Sequence, residues 1–235
     1  MKNLIIASTS TVHGSDYLEY ILSEISNLFK NTDEIIFIPY ARPGGISHDD
    51  YTKIAQSAFE KIGKKVIGLH NFDNKDKVLI EAKGIFVGGG NTFVLVNQLY
   101  KLKLLEAIKT TVFNGTPYLG TSAGSNICGL TMSTTNDMPI VYPPSFKTFG
   151  FIPFNINPHY LDPDPNSKHM GETRETRIKE FHAYNTSPVV GLREGSYLEV
   201  KGNQITLKGS LQARIFEYDK KPYEVKSNTD LSLLK

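Results

Sequence analysis

Short apolar, β-branched runs alternate along this chain with longer stretches in which apolar residues recur every three or four positions. "NLIIAS" (3–8), "EIIFIPYA" (34–41), "KKVIGLH" (64–70), "GIFVGGG" (84–90) and "TPYLGTS" (116–122) are apolar along most of their length rather than at alternate positions. That pattern predicts strands buried on both faces, hence a parallel sheet between two helical layers. Between them, "DYLEYILSEISNLF" (16–29) carries a helical stripe of Leu18, Ile21, Leu22, Ile25 and Phe29, with Asp16 near its start. "SHDDYTKIAQSAFEKIG" (47–63) predicts a helix with Ser47 as N-cap, Asp49 and Asp50 in the first turn and Gly63 at its end. "KDKVLIEAK" (75–83) predicts a short helix, and "NTFVLVNQLYKLKLLEAIKTTVFNG" (91–115) one long helix or two.

The second half is less regular. "PIVYPPSFKTFGFIPFNINPHYLDPDP" (139–165) is proline-rich and predicts an extended, loop-rich stretch, whose tyrosines and phenylalanines serve core packing. "GETRETRIKEFHAY" (171–184) predicts a helix with Ile178 and Phe181 facing inward, and 188–219 holds strand runs with turn signals at "REGS" and "KGNQ". With no repeat and no linker, the expectation is a single α/β domain over 1–235, a loose tail starting near Ser227. The expected architecture is a three-layer sandwich around a mostly parallel sheet, with extra β-hairpins near the C-terminus.

Composition narrows the function classes. Hydrophobic residues make up 40% of 235, enough for a sizeable core. A net charge of +2 with both signs interspersed gives no nucleic-acid surface and no polybasic membrane patch. No apolar run approaches the roughly 20 residues of a membrane span, and the N-terminal apolar run is too short for a secretion signal. The one cysteine, Cys128, forms no internal disulfide and fits a reducing compartment, so a cytoplasmic location is expected. Cys128 itself reads as a small core residue.

The candidate chemistry sits where strands end. "GTSAG" (120–124) follows a strand and fits the G-x-S-x-G nucleophile elbow, whose turn is so sharp that side chains two positions either side of the serine would collide with backbone. Ser122 is the candidate nucleophile, and Ala123 N–H a candidate oxyanion donor. The pentapeptide alone fits an ordinary strand-to-helix joint equally well. "FVGGGNTF" tips the balance, because packing does not require three consecutive glycines. The N–H groups near Gly89 and Gly90 can approach a ligand and complete an oxyanion hole. A phosphate loop fits less well: Phe93 sits where G-x-G-x-x-G needs its third glycine, and no lysine follows.

A serine nucleophile needs a base. His159 is favoured because turn-formers in "NINPHYLDPDP" fix its direction; His169 comes next, and His182 reads as a helix-surface residue. The orienting carboxylate is Asp137 in "TTNDMPI" or Glu194 in "VVGLREGS". Asp137 gives the order Ser, acid, His of α/β-hydrolases, and Glu194 gives Ser, His, acid.

"FVGGGNTF", "GTSAGSN", "NPHYLDPDP", "GETRETRI" and "VVGLREGS", in that order over nearly the whole chain, resemble the peptidase E family of α-aspartyl dipeptidases. These are serine peptidases with a flavodoxin-like, class I glutamine-amidotransferase-like fold, and the resemblance implies that fold for this chain. The resemblance implies Ser122 as nucleophile, His159 as general base and acid, and Glu194 as the residue holding His159. The oxyanion donors would come from Gly89, Gly90 and Ala123. It further implies small peptide substrates with an N-terminal aspartate, no metal and no other cofactor. Arg174, ahead of Arg177, would meet the substrate's aspartate side chain, and Asp137 would form part of the site wall facing the substrate amine. Arginine suits that task, because its planar fork matches a carboxylate and an unpaired charge penalises the neutral isostere. The competing view of "GETRETRIKEF" is a solvated helix held by pairs such as Glu175 to Lys179.

Other readings have weaker support. His159, Asp162, Asp164, His169 and Glu172 could ligate a metal, but prolines interrupt them and no ligand spacing emerges. A cyanophycinase-like hydrolase of the same superfamily, an Asp137-dependent esterase and a non-catalytic anion-binding module are the alternatives. A monomer and a homodimer are equally compatible with the sequence.

Overall fold

The computed structural model describes residues 1–164, 166, 168 and 170–235. Its central sheet has seven strands in the order β3-β2-β4-β5-β1-β8-β9. These are β1 (Asn3–Ala7), β2 (Glu34–Ile38), β3 (Lys65–Gly68), β4 (Ile85–Val87), β5 (Tyr118–Thr121), β8 (Ser196–Lys201) and β9 (Gln204–Gly209). The first five run parallel, and the β8–β9 hairpin adds antiparallel strands beside β1.

The all-apolar strand runs follow from cover on both faces. Leu4, Ile6, Ile36, Ile38, Ile85, Val87 and Tyr118 point to one side. They meet α3 (Lys75–Glu81), α4 (Thr92–Lys101) and α5 (Leu105–Phe113) through residues such as Leu79, Leu95, Leu99, Ile108 and Val112. The alternate residues Ile5, Ala7, Ile35, Phe37, Phe86 and Leu119 meet α1 (Leu22–Leu28) and α2 (His48–Glu60) through Ile25, Leu28, Tyr51, Ala55 and Phe59. A period of two in the strands thus feeds two separate cores, which is why no polar position interrupts them.

Several local expectations hold. Ser47 Oγ accepts from Asp50 N at 3.0 Å at the start of α2, a cap worth about 1 kcal/mol. The stretch 91–115 forms two helices, parted where Lys103 takes φ 57°. The first predicted helix differs from expectation. Leu18 spends its N–H on Ser10 O at 2.7 Å and takes φ 60°, so residues 19–21 form only a 3₁₀ turn before α1. The stripe survives, with Leu18, Ile21, Ile25 and Phe29 all buried.

A second sheet, β11-β10-β7-β6, stands beside the first. It comprises β6 (Asn155–Pro158), β7 (Val189–Leu192), β10 (Ala213–Phe216) and β11 (Tyr223–Val225). β6 and β7 are parallel, the other pairs antiparallel. The expected C-terminal hairpins are therefore divided: β8–β9 extends the central sheet, while β10–β11 edges the second. α7 (Arg174–His182) buries Ile178 with Tyr160, Val189 and Phe216, and half-buried Phe181 packs against them. The end of the chain differs from the expected loose tail. Leu231 N–H donates to Ile205 O at 2.7 Å, Leu207 N–H to Thr229 O at 3.0 Å, and the Leu231 and Leu234 side chains are buried. Among the described residues, no helix is long and apolar enough to cross a membrane.

Chain direction decides where a site can form. β1 leads to α1 on one face of the sheet and β4 leads to α4 on the other. A crevice opens at the carboxyl ends of parallel strands where successive connections part in this way.

Candidate active site

Ser122 ends β5 and opens α6 (Ala123–Asn126), a single helical turn, with φ 53° and ψ −111°. That backbone is unfavourable for a residue with a Cβ, costing about 1–3 kcal/mol, and persists only because its surroundings enforce it. The enforcement is visible. Ser122 N–H donates to Ala7 O at 3.1 Å, and Ser125 Oγ lies within hydrogen-bonding distance of both Ala7 O (2.6 Å) and Gly120 O (2.8 Å). Tyr118 OH donates to Gly124 O at 2.7 Å. A Cβ on Gly120 would lie 2.5 Å from Gly124 O, and one on Gly124 would lie 2.2 Å from Val87 O. The two elbow glycines are thus demanded by close backbone approach.

His159 follows β6 and takes φ 54°. Its Nε2 lies 2.8 Å from Ser122 Oγ, and its Nδ1 lies 2.6 Å from Glu194 Oε1. With the proton on Nδ1 donated to Glu194, Nε2 is free to accept from the serine hydroxyl. Glu194 lies just past the end of β7, so nucleophile and base–acid pair come from different sheets. The acid that reaches the histidine is Glu194, giving the order Ser, His, Glu.

Asp137 lies elsewhere. Its Oδ2 accepts from Thr92 N at 2.7 Å, Thr92 Oγ1 at 2.6 Å and Thr135 Oγ1 at 2.9 Å, seating the carboxylate on the first turn of α4. An anion there is favoured by the unpaired N–H groups of a helix start. The Asp137-dependent order of an α/β-hydrolase therefore has no geometric support.

Gly89 lies against the elbow: a Cβ on it would sit 2.9 Å from Ser122 Cβ and 3.5 Å from Ser122 Oγ. Gly88 N–H donates to Ile38 O, whereas among the described residues no backbone carbonyl accepts from Gly89 or Gly90 N–H. Gly90 takes φ 142°, and a Cβ there would lie 2.3 Å from Ala41 O, while one on Gly88 would lie 2.6 Å from Tyr51 OH. Close packing does require these glycines, contrary to the expectation from the sequence. Tyr51 OH donates to Gly89 O at 3.1 Å and holds this strand end from behind. Ala123 supplies the first N–H of α6, which has no intrahelical acceptor. With only one turn behind it, α6 offers this amide but little of the dipole that a longer helix would add.

Arg174 and Arg177 open α7, whose N-cap Thr173 accepts from Thr176 N at 3.1 Å. They line an open groove of about 290 Å³ with Leu161, Asp162, Gly171 and Glu172. Burial lowers the Arg174 pKa, the neighbouring Arg177 charge adds to this, and the Asp137 carboxylate opposes both. Arg177 Nε reaches only to 3.9 Å from Glu172 Oε2. The Glu175–Lys179 pair expected on a solvated helix also forms, at 2.7 Å.

Two contributors have no sequence signature. Ser8, fully buried at the end of β1, accepts from His159 N at 2.9 Å and donates to Leu192 O at 2.6 Å, tying the His159 turn to both sheets. Arg193, next to Glu194, donates to both oxygens of Asp162 at 2.9 Å, to Glu224 at 2.8 and 3.0 Å, and to Gln212 O at 2.7 Å. One guanidinium thus joins the segments that carry the histidine and the acid.

Asp162 is spent on this pairing. Among the described residues, no three His, Cys, Asp or Glu side chains converge as metal ligands, and His169 lies outside them. Cys128 is buried with its thiol 3.3 Å from Gly124 O, and burial pushes its pKa up. It buttresses the elbow from inside. His182 Nε2 lies 3.1 Å from Ser187 O, away from these groups.

Residues 4–208 match the sequence model of peptidase family S51. This chain belongs to that family. Its chemistry is peptide hydrolysis. A Drosophila melanogaster protein named "Probable alpha-aspartyl dipeptidase" is 45% identical over 236 residues, covering 99% of this chain and 97% of that one. "Peptidase E" of Streptomyces coelicolor is 47% identical over 232 residues, covering 99% and 94%. In fold, the chain is similar to a crystal structure of a peptidase from an acI-B1 actinobacterium, with a TM-score of 0.72 at 15% identity over 98% of this chain and 96% of that one.

Proposed function

We propose that this S51 peptidase is a serine dipeptidase that removes an N-terminal aspartate from Asp-Xaa dipeptides, and that the hydrogen-bonded chain Ser122–His159–Glu194 performs the chemistry. The observation that carries the reading is that chain, at 2.8 and 2.6 Å, mounted on a strained elbow. Ser122 Oγ attacks the scissile carbonyl while His159 Nε2 takes its proton. Glu194, accepting from Nδ1–H, stabilises the imidazolium that forms. The carbonyl oxygen becomes an oxyanion within reach of the N–H groups of Gly89, Gly90 and Ala123; one such donor contributes about 3–4 kcal/mol to the transition state. The imidazolium then protonates the leaving amine. Water, activated by the same nitrogen, releases aspartate from the acyl-enzyme. No step requires a metal.

Arg174 is the proposed partner of the substrate's aspartate side chain, with Arg177 supporting the same positive groove. Asp137 is the proposed wall on the amine side: Oδ2 is committed to Thr92 and Thr135, which leaves Oδ1 for the substrate ammonium. The name of the Drosophila relative at 45% identity, "Probable alpha-aspartyl dipeptidase", supports aspartate specificity.

Hydrolysis of Asp-Leu, Asn-Leu, Glu-Leu and Ala-Leu tests this. Leaving a half-buried guanidinium without its anion costs about 2–5 kcal/mol, so Asn-Leu should fall behind Asp-Leu in kcat/KM by roughly 30-fold or more. Equal rates on all four would overturn the aspartate claim. Ser122→Ala should fold and lose turnover; retained turnover would overturn the nucleophile.

A further inference from the structure

The chain has five arginines, and their pairing divides them. Arg193 is saturated by Asp162, Glu224 and Gln212 O. Arg214 pairs with Glu175 at 2.8 Å and Glu224 at 3.1 Å, and Arg177 approaches Glu172. Among the described residues, Arg42 and Arg174 have no carboxylate within ion-pairing distance. Arg42 follows β2 of the central sheet, and Arg174 opens α7, which packs on the second sheet. Arg174 senses the Asp137 charge, and Asp137 sits on the first turn of α4. Arg42 lies over Tyr51 of α2, its guanidinium carbon 4.8 Å from the ring centroid.

Arg42 is also tied to the oxyanion strand from two directions. The Tyr51 ring beneath it is almost fully buried and donates its hydroxyl to Gly89 O. The residue before it, Ala41, accepts from Asn91 N at 2.7 Å and closes against Gly90. A guanidinium over an aromatic face spends none of its N–H donors on the ring edge and keeps them for a carboxylate, which accepts a planar fork in two parallel hydrogen bonds.

An Asp-Xaa dipeptide carries two carboxylates, one on each side of the scissile bond: the aspartate side chain and the C-terminal α-carboxylate. We propose that Arg42 binds the C-terminal carboxylate of the leaving residue, so that the two unpaired arginines bracket the dipeptide with Ser122 between them. This rests on the dipeptidase reading above and adds a second anchor to it. The consequence is a length limit. A third residue converts that carboxylate into a neutral amide, and the favourable partner for Arg42 is lost.

The test crosses enzyme with substrate: kcat/KM for Asp-Leu and for Asp-Leu-amide, in the native enzyme and in Arg42→Gln. A charge-assisted pair at a partly exposed site corresponds to a preference of roughly tenfold to a hundredfold. The native enzyme should favour the free acid by that factor, mainly through KM, because the pair is made equally in ground and transition states. Arg42→Gln should bring the acid-to-amide ratio close to one, and Arg42→Lys should restore part of it. An unaltered ratio in Arg42→Gln, or no preference in the native enzyme, overturns the role of Arg42 while leaving the peptidase reading intact. Failure of the native enzyme to cleave either compound overturns both. The Arg42 side chain is exposed, and a thermal melt of each variant checks that the fold is kept.

Discussion

Replacing Ser8 by alanine isolates what holds the histidine. The hydroxyl accepts from His159 N and donates to Leu192 O, and it is completely buried. Leu192 O keeps a second partner after the change, because Tyr160 N–H also donates to it at 3.1 Å. His159 N–H keeps none among the described residues, so one donor loses its bond. The cost in unfolding free energy is about 1–3 kcal/mol, nearer the lower end because the turn is only partly buried. The effect on turnover has a different origin. His159 sits at φ 54°, and the Ser8 bond helps hold it there; without that bond the turn can relax and carry Nε2 off Ser122. A displacement near 1 Å costs about 10²-fold in rate. Urea denaturation measures the first effect and kcat on Asp-Leu the second. Ser8→Thr keeps a hydroxyl and should recover part of the rate if its methyl is accommodated. Native kcat in Ser8→Ala with a lowered urea midpoint would refute the positioning argument, because stability alone would then account for the bond.

Two further outcomes follow from the geometry. Gly124→Ala drives a Cβ to 2.2 Å from Val87 O, a backbone atom of β4 that cannot move aside, so it should destabilise by about 3 kcal/mol, at the upper end of overpacking costs. Gly150→Ala, at φ 63° with nothing within 4 Å, should cost only the left-handed backbone term of about 1–2 kcal/mol; urea midpoints that rank the two in reverse would refute the close-approach explanation. Hydrogen bonds from Arg193 hold the Asp162 and Glu224 carboxyls below their usual range. Their contribution to stability is therefore complete above the unfolded carboxyl values near pH 4 and is lost as pH falls through the lower folded values. Arg193→Gln should flatten this acid limb of the stability–pH curve, and a parallel curve at every pH would refute the assignment.

Residues whose role is local were readable in the chain. The β1–β5 runs announce double burial because apolar residues fill consecutive positions rather than alternate ones. Ser47 and the elbow glycines follow from chemistry confined to a few neighbours. His159 and Glu194 needed the longer motifs and the family resemblance, since a lone histidine among prolines and a glutamate after a strand fit many folds. Ser8 and Arg193 were invisible: they act on residues 19 to 184 positions away, and neither a serine after a strand nor an arginine beside a glutamate carries a periodic or spacing signal. The four-stranded second sheet was also missed, because its members are short, α7 intervenes between β6 and β7, and the β8–β9 hairpin intervenes between β7 and its partner β10. Asp137 illustrates the reverse. It lies close in sequence to the elbow, yet tertiary contacts with Thr92 and Thr135 draw it to α4 and away from His159.

The division of the proposed machinery between two sheets has a consequence for when the enzyme becomes active. Ser122 belongs to the first sheet, His159 and Glu194 to the second, and Ser8 joins the two from the start of the chain. A growing polypeptide that has released residues 1–160 holds nucleophile and base but lacks β7 and the acid behind it. On the proposed assignment, proteolytic competence arrives late in synthesis, as a property of docking rather than of any segment. A cut after His159 and before β7 leaves Ser122 and His159 on one piece and Glu194 on the other, so neither piece alone carries the proposed chain.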